Sequence, residues 1–234
     1  MELDYGFMID TFYKVWGGIG VTLSLTALSL IIALPIAFYM AVIRIRGHKI
    51  GTRITRFYIS FVRGTPLVLQ ILLMYSLLPR FINFVLKSMG SSFNVFDNVN
   101  PFWYAVIVFS LNTIALLAEV FRSALMSIDK GQLEAGVSIG LTEWQTYRHV
   151  IIPQALVVAL PAVCNITVNL IKGTSLAFLM TVKDVLAIGK IAASYGYNYI
   201  EAYLDVFIVY IIVCTIVQIA YKLAEQRLSV FRAA

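Results

Sequence analysis

The stretch EAGVSIGLTEWQTYRHVIIP, residues Glu134 to Pro153, lies between two long apolar segments yet is short, polar and nearly charge-balanced. Glu134-Ala135-Gly136 opens a short helix, and Gly140 stands where that helix should break or cap. Thr142 precedes Glu143, and Trp144, Tyr147 and Val150 recur at i, i+3 and i+6, the spacing of a second short amphipathic helix. Pro153 should stop that helix and start the next apolar segment. A helix–glycine–helix loop pinned between two membrane spans makes a compact knob, and the rest of the chain reads as the machinery that holds it on one side of a membrane.

The composition agrees. Hydrophobic residues make up 60% of the 234, charged residues 13%, and mean hydropathy is +0.87; soluble domains carry about 25% charged residues. The class is an all-α polytopic membrane protein, one membrane domain over residues 1–234. Ile19 to Ile43 is uncharged, longer than the roughly 20 residues a span needs, with Pro35 inside it as a kink. The second span is expected from about Phe57 to Pro79, with Arg63 and Pro66 in its first half. The third begins near Pro101 and stays uncharged to Glu119; the fourth covers about Gln154 to Ile171; the fifth, Val206 to Tyr221. Arg80 to Asn100 is assigned to the outside, and Thr181 to Glu201 to a short re-entrant or interfacial piece there.

Charge sets the orientation. With five spans, the inner segments hold Arg44, Arg46, Lys49, Arg53, Arg56, Arg122, Lys130, Arg148, Lys222, Arg227 and Arg232. The outer ones hold only Lys14, Arg80, Lys87, Lys183 and Lys190. By the positive-inside rule the N-terminus is outside and the C-terminus cytoplasmic. The same bias explains the net charge of +6 without a nucleic-acid partner. Glu2, Asp4 and Asp10 precede the first lysine, so the N-terminus lacks the basic region of a cleavable signal peptide. Cys164 and Cys214 fall inside spans as packing residues, and His48 and His149 have no metal-ligating neighbours at ligand spacing.

The order Glu134-Ala135-Gly136, Gly140, Val150, Ile152, Pro153 resembles the cytoplasmic "EAA" loop of ABC importer permease subunits. Gly136 stands where alanine is usual, a change expected to loosen the first helix by about 1 kcal/mol. Arg63-Gly64-Thr65-Pro66-Leu67 with Gln70, and Lys172-Gly173-Thr174-Ser175-Leu176, resemble the polar amino-acid branch of that family (histidine, glutamine, arginine, cystine). The resemblance implies the type I importer permease architecture, working by alternating access in the cell membrane. It implies an ATPase-coupling loop at about 122–153, with Glu134, Ala135, Gly136, Gly140, Leu141, Thr142, Trp144, Tyr147 and Pro153 as coupling residues. It also implies two ATPase subunits that carry ATP and Mg, a second permease subunit (identical or homologous), and an external amino-acid-binding protein. The chain itself has no G-x-x-x-x-G-K-[ST] and no catalytic constellation, so it is read as a transport subunit, not an enzyme, with no cofactor or metal of its own.

The candidate substrate-binding residues are Gly64, Thr65, Gln70, Asn112, Glu119, Asn165, Asn169 and Lys172. Each has a structural alternative. Pro66 removes a backbone donor and frees an upstream carbonyl, so Gly64-Thr65-Pro66 is either a ligand-binding break or a kink with Arg63 snorkelling to the interface. Glu119 either lines the path, favouring an amino group or a cationic side chain, or pairs with Arg122 three residues on. Asn165, Asn169 and Lys172 share one helical face that lines a cavity or packs on another helix. A self-contained secondary transporter or channel using Glu119 and Lys172 as an ion relay is the competing function.

Overall fold

The computed structural model describes residues 3–90 and 94–228. Among these, helices α1 (Tyr5–Trp16), α2 (Ile19–Ile45), α3 (Lys49–Gly64), α4 (Leu67–Ser88), α5 (Val95–Asn98) and α6 (Pro101–Met126) form the first half of the chain. Helices α7 (Gly131–Ser138), α8 (Glu143–Thr146), α9 (Ile152–Gly173), α10 (Val185–Ser194) and α11 (Tyr199–Leu228) form the second. Five helical runs are long and apolar enough to cross a membrane: Tyr5–Ile45, Leu67–Ser88, Pro101–Met126, Glu143–Met180 and Tyr199–Leu228.

α6 is the central helix, and its buried face runs from Tyr104 to Leu125. α2 lies along it through Ala33, Ala37 and Ala41, all fully buried and spaced at i, i+4 and i+8. These pack with Ala115, Ala118 and Phe121 of α6 in one cluster that Ala155 and Ala159 of α9 also join. Lipid tails are as apolar as leucine, so small side chains that let backbones approach closely are what hold such helices together. Pro35 sits inside α2 without ending it.

The second span, expected over Phe57–Pro79 with a break or kink at Gly64-Thr65-Pro66, is two helices. α3 ends at Gly64, Thr65 and Pro66 are extended, and α4 starts at Leu67. The preference of a residue before proline for extended backbone accounts for the break. α3 starts beside the end of α2, where the Thr52 hydroxyl donates to the Ile43 carbonyl, and reaches the middle of α6, where the Tyr58 hydroxyl donates to the Leu111 carbonyl. α4 carries on to the opposite end of α6, where Tyr75 packs edge-on to Tyr104. It passes through Pro79 to Ser88, so the helix continues nine residues beyond the expected end of the span.

Pro153 likewise does not interrupt the chain. Tyr147–Ile151 form a π-helical turn, and the Ile152 N–H that follows reaches back five residues to the Tyr147 carbonyl. The proline sits in the first turn of α9, directly after this wider turn. Loop and fourth span are thus one helical run. α11 begins at Tyr199, earlier than the expected Val206, and buries Glu201 and Asp205 where α1 packs on it.

The junction between α1 and α2 is fixed by one glycine. A Cβ on Gly18 would stand 2.7–2.9 Å from backbone atoms of Asp184 and Val185 at the start of α10. Asp184 is buried there: its carboxylate accepts from the Ala187 N–H and the Tyr210 hydroxyl, and burial pushes its pKa up against those hydrogen bonds. Because the obstacle is backbone, Gly18→Ala should destabilise the protein by about 1–3 kcal/mol. Gly20→Ala, which meets nothing within 4 Å, should be neutral or slightly stabilising. Thermal melts of the two purified variants in detergent check the contrast.

Candidate functional site

Two regions gather the candidate residues: the polar loop at one end of the bundle and a pair of interrupted helices near its middle.

In the loop, α7 ends in a Schellman motif. Gly140 is left-handed at φ +90; the Leu141 N–H donates to the Gly136 carbonyl and the Gly140 N–H to the Val137 carbonyl. Thr142 then caps α8 through a reciprocal pair with Gln145: the Gln145 N–H donates to the Thr142 hydroxyl and the Thr142 N–H to the Gln145 side-chain oxygen at 2.8 Å. The T-x-x-Q spacing is present in the sequence, and Gln145 belongs with the residues that shape this loop.

Gly136 is buried, and a Cβ there would lie 2.4 Å from Thr146 Cγ2 and 2.5 Å from its hydroxyl. The glycine is what lets α7 close on α8. Beside the expected cost in helix propensity at Gly136 stands this close contact, which an alanine would not allow. Nothing in the local pattern marked Thr146, because its partner sits across the turn. Outside this contact Val137, Ile139 and Trp144 are exposed at 47, 79 and 58%, flanked by Glu134, Glu143 and Arg148. The knob presents apolar side chains with a charged rim, the surface character of a docking element. Ala135 and Thr142 are exposed beside them, while Leu141, Tyr147 and Pro153 are half-buried.

Behind the knob a cavity of about 430 Å³ opens between the helix ends, lined by Arg44, Arg56, Arg122, Lys130, Leu133 and Tyr147 among others. Glu119 lies at this end of α6 and is taken on both oxygens. Arg44 Nη1 donates to Oε1 at 2.6 Å and Arg122 Nε to Oε2 at 3.0 Å. Arg122 was the expected local partner; Arg44, from the end of α2, has no signal in local spacing.

The mid-bundle region is built on the break at Thr65–Pro66. The Gln70 side-chain amide donates to the Val62 carbonyl at 2.9 Å, the Thr65 carbonyl at 3.2 Å and the Thr65 hydroxyl at 2.8 Å. The Thr65 hydroxyl donates in turn to the Phe61 carbonyl, and Asn112 of α6 donates to Gln70 Oε1 at 3.2 Å. Carbonyls that proline leaves open must be met by protein, water or ligand at this depth, and Gln70 meets two of them. Gly64, with no atom within 4 Å of a built Cβ, is exposed.

α9 is interrupted at the same level. After Gly173 it tightens into a 3-10 turn, Thr174–Met180, closed by Thr181 at φ 61. A Cβ on Gly173 would touch Phe109 at 3.7 Å and Leu67 at 3.9 Å, so this interruption lies beside the start of α4. Lys172, next to Gly173 in the chain, is at the level of the break. Asn165, Asn169 and Lys172 form one exposed stripe, and their side chains make no hydrogen bond or ion pair among the described residues. The structure thus brings Gly64, Thr65, Gln70, Asn112 and the Lys172 end of the stripe to one depth and leaves Glu119 in the loop-end ion cluster.

Residues 33–230 match the family described as binding-protein-dependent transport system inner membrane component. The chain belongs to this family. It is 37% identical to the probable amino-acid permease protein YxeN of Bacillus subtilis (strain 168), over 97% of this chain and 96% of that one. It is 34% identical to the L-cystine transport system permease protein TcyL of the same organism, over 89% and 84%. A solved amino acid ABC transporter with histidines superposes with a TM-score of 0.80 at 28% identity, covering 97% of this chain and 100% of that chain. The methionine transporter MetNI shares the fold, with a TM-score of 0.67 at 19% identity. The chain is a multi-pass permease subunit of the ABC transporter class, a transport component rather than an enzyme, and the self-contained carrier gives way to it.

Gly136→Ala should reduce hydrogen-exchange protection of α7 amides in the detergent-solubilised protein by about tenfold, the equivalent of 1.4 kcal/mol at the tight end of overpacking. Adding Thr146→Ala, which removes the two closest atoms, should restore most of it. Mass-spectrometric exchange over peptides containing Gly131–Ser138 reads both.

Proposed function

We propose that this chain is the membrane-spanning subunit of an ABC importer that carries a polar amino acid across the cell membrane by alternating access. The observation that carries the reading is the knob: a glycine-locked, doubly capped helix pair with exposed Val137, Ile139 and Trp144 that runs without a break into α9. Two ATPase subunits, which bind ATP and Mg, grip the knobs through the Glu134–Pro153 segments. A second permease subunit, identical or homologous, completes the path. An external binding protein delivers the substrate to the opposite face. The basic segments after α2 and around the loop lie in the cytoplasm, with the N-terminus outside, as the positive-inside rule requires.

The path passes the paired helix interruptions. Gly64 and Thr65 present backbone there and Lys172, Asn165 and Asn169 present unpaired side chains, while Gln70 bridges the break and Asn112 steadies it. ATP binding closes the ATPase pair, the knobs follow, and α9 moves with them; hydrolysis resets the path. The amino-acid substrate is supported by the relatives named above, YxeN and TcyL, and by the solved transporter.

The chain co-expressed with its ATPase should co-purify with it, and in proteoliposomes with the binding protein a polar amino acid should stimulate ATP hydrolysis. Glu134→Lys and Gly140→Asp, the latter forcing a side chain onto a φ of +90, should insert normally yet lose at least tenfold of that stimulation. Failure to recover an ATPase, or full coupling in both variants, overturns the proposal.

A further inference from the structure

Resting on that reading, we infer that Lys172 selects substrates by charge: the path accepts amino acids with neutral or acidic side chains and excludes those carrying an ammonium or guanidinium group. The helices that frame the two interruptions, α2, α3, α4, α6 and α9, contain one carboxylate among the described residues, Glu119. It is consumed: Arg44 holds one oxygen and Arg122 the other. No acidic group on these helices is left to neutralise a cationic side chain.

The cations at the level of the break are left over. Lys172 is exposed beside the 3-10 turn and makes no ion pair among the described residues, and Arg63 at the end of α3 is exposed and likewise unpaired. Of the other buried carboxylates, Asp184 caps α10, which also packs on the 3-10 turn, and both its oxygens already accept hydrogen bonds. Glu201 and Asp205 lie where α1 packs on α11, away from the interruptions, one Asp205 oxygen having no partner among the described residues. The Tyr210 hydroxyl donates to Asp184 and the Asp4 N–H to Glu201. An unpaired ammonium at membrane depth is costly unless a counter-charge or water reaches it. A substrate carboxylate supplies that counter-charge, and Asn165 and Asn169 on the same face supply amide donors and acceptors. A lysine or arginine substrate would bring a second positive charge to the same place.

The test uses the permease–ATPase complex in detergent, without the binding protein, so that the permease's own selectivity is read. Labelled L-glutamine and L-glutamate should bind, and unlabelled L-arginine or L-lysine should compete at least tenfold less well than either. Lys172→Gln should weaken L-glutamate binding tenfold or more with a smaller effect on L-glutamine. Lys172→Arg should retain both, and Lys172→Glu should shift preference toward L-arginine. Competition by arginine equal to that by glutamate in the unmodified complex overturns the inference and leaves the amino-acid function standing; it decides the point even where a variant fails to assemble. Binding of no amino acid at all, with another solute class taken instead, removes the function itself.

Discussion

In hydrocarbon no water is present to receive a backbone carbonyl that its helix has released, and each such group costs several kcal/mol if left alone. This constraint shapes the molecule at its irregular points. Pro66 opens the second span, and the side chain of Gln70 folds back over the gap while Asn112 steadies it from the neighbouring helix. Thr174, where α9 changes pitch, turns its hydroxyl onto the Ile171 carbonyl at 2.7 Å, and Ser175 does the same for Lys172 at 2.7 Å. Irregular backbone is thus kept within the bundle by short polar side chains that stand in for missing ladder bonds.

Around these points the packing is made of small residues and close approaches. The alanine row of α2 is fully buried against α6, and at Gly18 against α10 and Gly136 against Thr146 a single extra carbon would meet an occupied position. The ion cluster of Glu119 with Arg44 and Arg122 ties the end of α2 to α6 at the base of the knob. Glycine and alanine serve the tight places, and charge serves the end of the bundle where helices have room to part.

The long apolar runs and the break-and-cap role of Gly140 were legible because hydropathy and glycine stereochemistry are local properties. So was the polar character of the Asn165, Asn169 and Lys172 face, which follows from helical period alone. The extension of α4 beyond Pro79 was not, since a proline reads as a stop in water but is tolerated in a membrane helix. Nor was α1, whose Asp10 and Lys14 mask an apolar face that packs on α10 and α11. The role of Gly136 needed the position of Thr146, and the second arginine on Glu119 came from 75 residues away. What sequence hid was contact between segments, and with it the depth at which Lys172 stands.

The helical run from Glu143 to Met180, whose pitch changes at each end of α9, is 38 residues long, a rod of more than roughly 50 Å. Its azimuth is set by the five-residue turn at Tyr147–Ile151, which holds one residue more per turn than the helix on either side. A rod of this kind carries torsion as well as thrust. In the proposed transport cycle, a rotation imposed at Trp144 would arrive at Asn169 as a change in which way the amide points, so that a stroke tilting the span would also turn its polar stripe like a key.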